Sequence, residues 1–136
     1  MDLLARREHS RLELEQKLAA RSFAEPLVAE VLDELEHDGL LSAERFAQSF
    51  VETRVARGQG PRRIRRDLAA RGVEPSAGHL DDARFDWDAL ARETRLKRFG
   101  PGRPSSLAEK ARQVRFLEYR GFGHDQIRRA LEFDEE

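Results

Sequence analysis

Residues 58–72 of the chain read GQGPRRIRRDLAARG. This stretch has the features of one short helix with glycines before its start and after its end. Pro61 stands where the helix would begin, a position that tolerates the missing N–H of proline. Ile64 and Leu68 lie one turn apart and give the helix an apolar inner face. Gly72 suits the left-handed backbone that closes many helices. The stretch therefore predicts a short amphipathic helix that is strongly basic.

The same pattern occurs in two further copies along the chain. Leu14 and Leu18, followed by Ala-Ala-Arg, stand 50 residues before the apolar pair of the first stretch. In the other direction, the Arg-Gly-x-Gly run at 120–123 stands 63 residues after the same run at 57–60. Self-similarity of this kind is typical of tandem structural units that stack side by side. We therefore expect one helical motif in three copies.

A longer helix is predicted before the basic one, because Ser42 can cap its first turn and Phe46 and Phe50 fall near one face. Prolines and glycines make residues 99–106 a loop. No alternating apolar pattern of strand length stands out. We expect an all-α fold of about nine helices in an elongated, curved array. Further helices are predicted where apolar residues recur at helical spacing, over residues 26–38, 76–84 and 86–99.

The composition of the 136 residues limits the class of protein. Charged residues make up 38% and hydrophobic residues 39%, which favours short helices with wide polar faces over a broad sheet. Cysteine is absent, so disulfides, thiolate metal sites and cysteine nucleophiles are excluded and a cytoplasmic location is the simplest expectation. No apolar run of about 18 residues and no secretion signal are visible. We expect neither a membrane partner nor export.

The net charge of -1 conceals blocks of opposite sign. Residues 51–72 contain seven basic and two acidic residues, and residues 95–129 contain ten basic and three acidic residues. Acidic stretches flank both blocks. A chain with this pattern can meet phosphates or an acidic protein surface without being basic overall.

Several separated motifs resemble those of the bacterial RecX family, and together they cover nearly the whole chain. Each motif alone is weak, but their order and spacing make a chance match improbable. The motifs are Arg7-Glu8-His9-Ser10 with Leu14 and Lys17-Leu18; Gly39-Leu40-Leu41 with Arg45-Phe46-Ala47 and Phe50; Gly58-Gln59-Gly60-Pro61 with Ile64-Arg65 and Leu68; Asp86-Trp87 with Leu90-Ala91; Lys97-Arg98-Phe99-Gly100; Lys110; Arg115-Phe116-Leu117; and Arg120-Gly121-Phe122.

The resemblance implies three tandem three-helix units, which we place at residues 1–41, 42–84 and 85–136. It also implies binding in the groove of the RecA filament on single-stranded DNA, where such proteins restrain filament growth, ATP hydrolysis and strand exchange. The implied partner is the RecA filament, with single-stranded DNA contacted indirectly or weakly. The first motif begins very near the start of the chain, so the first unit is expected to be short.

The basic helix, over residues 61–71, carries charges that cost stability. Arg62 and Arg66 are like-charged neighbours one turn apart, and Arg62 and Arg63 stand in the first turn, where the helix dipole disfavours cations. We expect the total cost to be about 1–3 kcal/mol. Broken local rules tend to mark functional sites. We therefore predict a discontinuous basic stripe that faces acidic protein surface or DNA phosphates, formed by Arg57, Arg62, Arg63, Arg65, Arg66, Arg112, Arg115, Arg120, Arg128 and Arg129.

Residues with catalytic or metal-binding potential do not form a recognisable set. The four histidines are far apart in sequence and lack the HExxH spacing, and the Gly58-Gln59-Gly60 run lacks the other features of a nucleotide loop. We expect no enzyme activity, no cofactor and no small-molecule substrate. The first alternative is a DNA-binding protein of helix-turn-helix kind that uses helix 61–71 for recognition, and a further one is a passive helical scaffold. Acidic stretches at 25–38 and 73–94 would flank that helix and repel phosphates.

Overall fold

The structure is a computed structural model that describes residues 7–75, 79–80 and 84–132. All regular secondary structure in these residues is helical, which confirms the predicted fold class. The count of about nine helices is corrected to seven within this part of the chain, and the predicted helix at 76–84 lies mostly outside it. The helices are α1 (Arg11–Ala20), α2 (Glu25–His37), α3 (Ala43–Ala56), α4 (Pro61–Ala70), α5 (Trp87–Phe99), α6 (Leu107–Arg120) and α7 (His124–Ala130).

The helix ends follow the local chemistry that the sequence indicates. The Ser42 hydroxyl accepts a hydrogen bond of 3.2 Å from the N–H of Arg45, so the predicted cap of α3 is confirmed. Pro61 is the first residue of α4. Gly72, which follows the end of α4, has a φ of +76° and thus the left-handed backbone expected there. No helix in the described ranges has the length and apolar character needed to cross a membrane.

Three separate apolar clusters form the interior. The largest packs α3 and α4 against Leu80 and Trp87, and Ile64 and Leu68 within it are fully buried. A second cluster joins α1 to α2 around Leu14 and Leu32, and a third lies among α5, α6 and α7. Each cluster belongs mainly to one stretch of the chain, as expected of tandem units that each bury their own core, although Trp87 of α5 packs into the largest cluster and Leu90 contacts both that cluster and the third. We refer below to the first, second and third units in chain order.

Backbone groups join the second unit to the third. The N–H of Gly60 donates to the carbonyl of Arg120 at 2.7 Å, and the N–H of Arg62 donates to the carbonyl of Gly121 at 2.9 Å. A Cβ atom at Gly60 would lie 2.5 Å from the carbonyl carbon of Gly121, far closer than van der Waals contact. The two backbones therefore approach so closely that only glycine fits between them.

Side chains join the first unit to the second. Arg45 Nε lies 3.0 Å from a carboxylate oxygen of Glu8, and Arg71 Nε lies 3.8 Å from one of Glu13. Leu12 packs closely against Gly72, where an added Cβ would lie 3.1 Å from that of the leucine. This junction therefore depends on partly exposed ion pairs and the Leu12 contact, which are weaker restraints than backbone hydrogen bonds between closely packed segments.

Candidate functional site

The arginines of α4 point away from the core in the pattern that the helical period predicts. Arg62, Arg65 and Arg66 are exposed, whereas Ile64 and Leu68 on the opposite face have no exposed surface. Within the described ranges, neither Arg62 nor Arg65 forms an ion pair with a carboxylate. This face of α4 thus presents positive charge to solvent.

Asp67 reduces the repulsion among these arginines, an effect that the helical period does not predict. Its carboxylate accepts a hydrogen bond of 2.7 Å from Arg54 and lies 3.7 Å from Arg63 Nε and 3.6 Å from Arg66 Nε. The Arg54 side chain is only 14% exposed and its guanidinium stacks 4.4 Å from the centre of the Phe50 ring. The predicted cost of the crowded charges is therefore lower than the sequence suggests, because one carboxylate serves three guanidinium groups.

Arg63 turns from the stripe towards the third unit. Its side chain is 24% exposed, and its guanidinium lies 5.1 Å from the centre of the Tyr119 ring. Its Cβ also occupies the space that a side chain at Gly121 would need. Arg63 thus contributes to the junction between the second and third units as well as to the basic surface.

Two predicted stripe residues on α7 are paired with the chain's own carboxylates. Arg129 Nη1 lies 3.0 Å from Asp88 on α5, and Arg128 Nη2 lies 3.4 Å from Asp125 one turn earlier. All four side chains are at least partly exposed, so each pair contributes at most about 1 kcal/mol and a stronger anionic partner can replace the carboxylate.

The predicted stripe residues on α6 differ from one another. Arg112 pairs with Glu109 at 3.2 Å, and hydrogen bonds from Gln113 and Arg112 lower the pKa of the Glu109 carboxyl. Arg115 is exposed and has no ion pair with any carboxylate of the described ranges. The basic side chains of the third unit are therefore scattered, and some are paired with carboxylates. The exposed arginines of α4, in contrast, lie on one face.

Arg57 and Arg120, which are 63 residues apart in sequence, meet at a surface groove. Arg120 Nη1 donates a hydrogen bond of 2.9 Å to the carbonyl of Arg57. Lys97 and Arg98 of α5 line the same groove, whose volume is about 460 Å³. We call this the basic groove. Its four cations come from the C-terminal turns of three different helices, α3, α5 and α6.

Lys97 and Arg98 are not among the predicted site residues, although both belong to the Lys97-Arg98-Phe99-Gly100 motif. Both are exposed, and Arg98 has no ion pair with a described carboxylate. Lys97 lies 3.3 Å from Glu93, one turn earlier on the same helix. Because α5 meets α3 only in the folded chain, no local pattern could have indicated that these residues join Arg57.

Apolar side chains form the floor of the basic groove. Val55, Leu90 and Phe116 line it, and each is only partly buried. The Phe116 ring has guanidinium groups at 5.9 Å (Arg98) and 5.2 Å (Arg120) from its centre. The groove therefore combines an apolar surface with a cationic rim.

The described ranges offer binding chemistry rather than a recognisable catalytic arrangement. No group of three or more histidine, aspartate or glutamate side chains within them could hold a metal ion. Arg95 is buried, and its Nε donates a hydrogen bond of 2.8 Å to Oε1 of Gln113. Burial lowers the pKa of its guanidinium. This arginine holds α5 to α6 and does not face a ligand site. What remains on the surface is a set of anion-binding groups.

Comparison with known proteins finds three family models in order along the chain. They describe the first, second and third three-helix domains of RecX and match residues 1–35, 44–77 and 86–131. The chain belongs to the RecX family. The matched ranges include most of the motifs that carried the resemblance, with Gly39-Leu40-Leu41 between two of them, and most residues of each apolar cluster.

Relatives within the RecX family cover most of the chain. The regulatory protein RecX of Halorhodospira halophila is 51% identical over 130 residues, which are 94% of this chain and 81% of that protein. The regulatory protein RecX of Ectopseudomonas mendocina is 44% identical over 96% of this chain and 89% of its own length. The crystal structure of RecX from Lactobacillus salivarius matches 95% of this chain and 87% of its own with a TM-score of 0.69. At 22% identity, the latter supports the fold alone.

Proposed function

We propose that this chain regulates the RecA filament on single-stranded DNA by binding it and inhibiting filament growth, ATP hydrolysis and strand exchange. The observation that carries the proposal is the presence of all three RecX units, in order, in a chain whose relatives are regulatory proteins RecX. The protein acts by occupying the filament groove, and it performs no chemistry of its own. A chain without cysteine suits the reducing cytoplasm in which such a filament would form.

The basic stripe supplies the contact in this proposal. Arg62, Arg65 and Arg66 stand on one exposed face of α4, a position that costs the helix stability in the absence of a partner. An acidic protein surface or DNA phosphates would offset that cost. Because the contact depends on exposed charges, it weakens as salt is raised.

The proposal can be tested by following DNA-dependent ATP hydrolysis by RecA while this protein is added. The test variant changes Arg62, Arg65 and Arg66 to Ala. The matched control changes Arg21, Arg92 and Lys110 to Ala, three exposed basic residues outside the stripe, so that the net charge changes equally. We expect the natural chain and the control to inhibit hydrolysis at substoichiometric amounts and the stripe variant to lose most of the inhibition.

Two results would contradict the proposal at different levels. If the natural chain left hydrolysis unchanged, the function itself would be wrong. If the stripe variant inhibited as well as the control, the function would stand and the stripe would be wrong. Tight, sequence-selective binding to duplex DNA without RecA would instead favour the helix-turn-helix alternative. The packing of α4 disfavours that outcome, because a recognition helix presents its N-terminal residues to base edges, whereas the first turn of α4 packs against the third unit through the Arg62 backbone and the Arg63 side chain.

A further inference from the structure

The basic groove has more positive charge than its own surroundings neutralise. The C-terminal turns of α3, α5 and α6 meet there, and each helix end carries roughly half a negative charge. These ends and Glu93 together offset about two and a half of the four cationic charges. A surplus of about one to two positive charges therefore remains. This amount suits a ligand segment with one or two carboxylates rather than a long polyanion.

The cations of the groove are available to a ligand. Arg57, Arg98 and Arg120 form no ion pair with a carboxylate of the described ranges. The ion pair between Lys97 and Glu93 joins two exposed side chains one turn apart, and such pairs contribute little to stability. A carboxylate from outside can therefore bind without breaking a strong internal interaction.

Contacts within the chain hold part of the groove in place before a ligand arrives. The bond from Arg120 to the carbonyl of Arg57 and the backbone bond from Gly60 to Arg120 hold two sides of the groove together. Phe116 is held edge-on against Phe99, with ring centres 5.2 Å apart and planes at 86°. A ligand that binds to such a preformed site does not have to order it.

The aromatic chemistry of the groove disfavours a nucleic acid as its occupant. Bases bind to single-strand sites by stacking on exposed aromatic faces. The Phe116 ring already has the guanidinium groups of Arg98 and Arg120 and the edge contact with Phe99 around it. Val55 and Leu90 beside it offer aliphatic surface, which suits an apolar side chain.

We propose that the basic groove binds a short acidic peptide segment of a partner protein, in which an apolar residue lies on the floor and flanking carboxylates meet the rim. The inference rests on the proposed function for the statement that the partner is a protein. The cations give the segment its charge requirement, and Val55, Leu90 and Phe116 give it a requirement for an apolar anchor. Neither requirement alone describes the groove.

The test measures fluorescence anisotropy of labelled peptides without RecA, so that its failure is distinct from failure of the proposed function. The probe is the peptide GSDLFESG. One comparison peptide, GSNLFQSG, lacks the carboxylates and the other, GSDSSESG, lacks the anchor. We expect the probe to bind and each comparison peptide to bind at least about tenfold more weakly, a difference of about 1.4 kcal/mol.

Paired variants locate the binding. Ala56 is exposed and lines the groove, so Ala56→Glu should weaken probe binding at least about tenfold by adding a carboxylate there. Ala111→Glu makes the same change at an exposed helical position outside the groove and should leave binding unchanged. Lys97→Gln with Arg98→Gln should weaken binding, whereas Arg92→Gln with Lys110→Gln should not. Far-ultraviolet circular dichroism establishes that all variants are folded.

Three results would overturn the proposal. The first is probe binding that is absent, or equal among the three peptides. The second is tighter binding of a labelled oligo(dT) that Ala56→Glu abolishes, which would make the groove a nucleic-acid site. The third is self-association of the natural chain in sedimentation analysis that Ala56→Glu abolishes, which would mean that a second copy occupies the groove.

Discussion

Ser22 occupies a backbone position that glycine holds at several other helix ends of this chain. It follows α1 as Gly72 follows α4, and its φ of 66° is the single left-handed value of a non-glycine residue in the described ranges. A residue with a Cβ in this conformation destabilises the fold by about 1–2 kcal/mol. Glycine avoids this strain but loses more backbone entropy on folding. The first unit therefore carries local strain that the second unit avoids.

Replacing Ser22 with Gly should stabilise the protein. We expect Ser22→Gly to raise the free energy of unfolding by about 0.5–1 kcal/mol, because relief of the strained φ exceeds the added entropy of the unfolded chain. Urea denaturation followed by circular dichroism measures the change. Ser22→Ala, which keeps the Cβ, is the control and should bring no gain. Equal stability of the two variants would show that the backbone at this position is not strained.

His9 is held neutral at the start of the first unit. Its side chain is 2% exposed, and its two ring nitrogens lie 3.1 Å from the carbonyl of Arg7 and 3.1 Å from Lys17 Nζ. The tautomer with its proton on Nδ1 donates to the carbonyl and accepts from the lysine. Burial, and then the charges of Arg7 and Lys17, lower the pKa of His9 below its usual 6.5.

Acid should destabilise the fold through His9. In the unfolded chain the imidazole takes up a proton as the pH falls below about 6.5, whereas the folded chain resists it. The contribution of His9 to the free energy of unfolding should therefore be fully present above about pH 6.5. It should be lost as the pH falls from there through the lowered pKa of the folded state. Urea denaturation at a series of pH values measures the slope. His9→Gln should flatten it, and His124→Gln, at an exposed site, should not.

At the residue scale, the sequence predicted which way a side chain points better than it predicted which residue that side chain contacts. The helical period placed Arg62 and Arg66 outside and Ile64 inside, and the structure confirms this. It did not identify Asp67 as the shared partner of three arginines, because Arg54 reaches it from another helix. Arg95 shows the same limit, since its burial depends on the packing of α5 against α6.

At the scale of elements, the beginning of α4 and the end of α6 form a junction in which two backbones touch. Gly60 and Gly121 allow their backbones to touch, and α4 thereby gains partners for N–H groups that a helix start leaves unpaired. Gly60 lacks a side-chain cap, unlike Ser42 at the start of α3. The third unit thus accepts hydrogen bonds from N–H groups at the start of α4, as the Ser42 hydroxyl does at the start of α3.

A methyl group at Gly60 should separate these elements. Gly60 has a φ of -86°, which alanine adopts freely, so any cost of Gly60→Ala is steric. We expect a loss of about 1–3 kcal/mol in the free energy of unfolding, as in overpacked cores. Gly102→Ala, where nothing lies within 4 Å of the added atom, is the control and should change stability by less than about 0.5 kcal/mol. Equal effects of the two changes would mean that the close approach does not hold the units together.

Helix positions were predictable where the start and stop chemistry is local. Ser42 and Pro61 marked two helix starts correctly, and the helix predicted over 26–38 is α2 (Glu25–His37), displaced by one residue. The opening of the basic groove was not predictable, because it depends on how α3, α5 and α6 pack. For this reason the sequence did not predict a binding role for Lys97 and Arg98.

At the scale of the whole molecule, unequal junctions divide the chain. Backbone hydrogen bonds, a glycine contact and the packing of Trp87 connect the second and third units, whereas partly exposed ion pairs and the Leu12 contact connect the first unit to the second. In repeat proteins stability is approximately a sum of unit and interface contributions. A weaker interface therefore leaves its unit free to open by itself.

We expect native-state hydrogen exchange to show this division. Amides in α1 and α2 should open with a lower free energy than those in α3, α4 and α6, because the first unit can separate without breaking the junction at Gly60. Salt at about 0.5 M should lower the opening free energy of α1 and α2 further, since it screens the pairs Arg45–Glu8 and Arg71–Glu13. The amides of α4 serve as the internal control and should not open more easily in salt, because salt also screens the repulsion among the arginines of that helix. Uniform opening free energies in all seven helices of the described ranges would mean that the chain unfolds as one cooperative body, and the weaker junction would then have no energetic consequence.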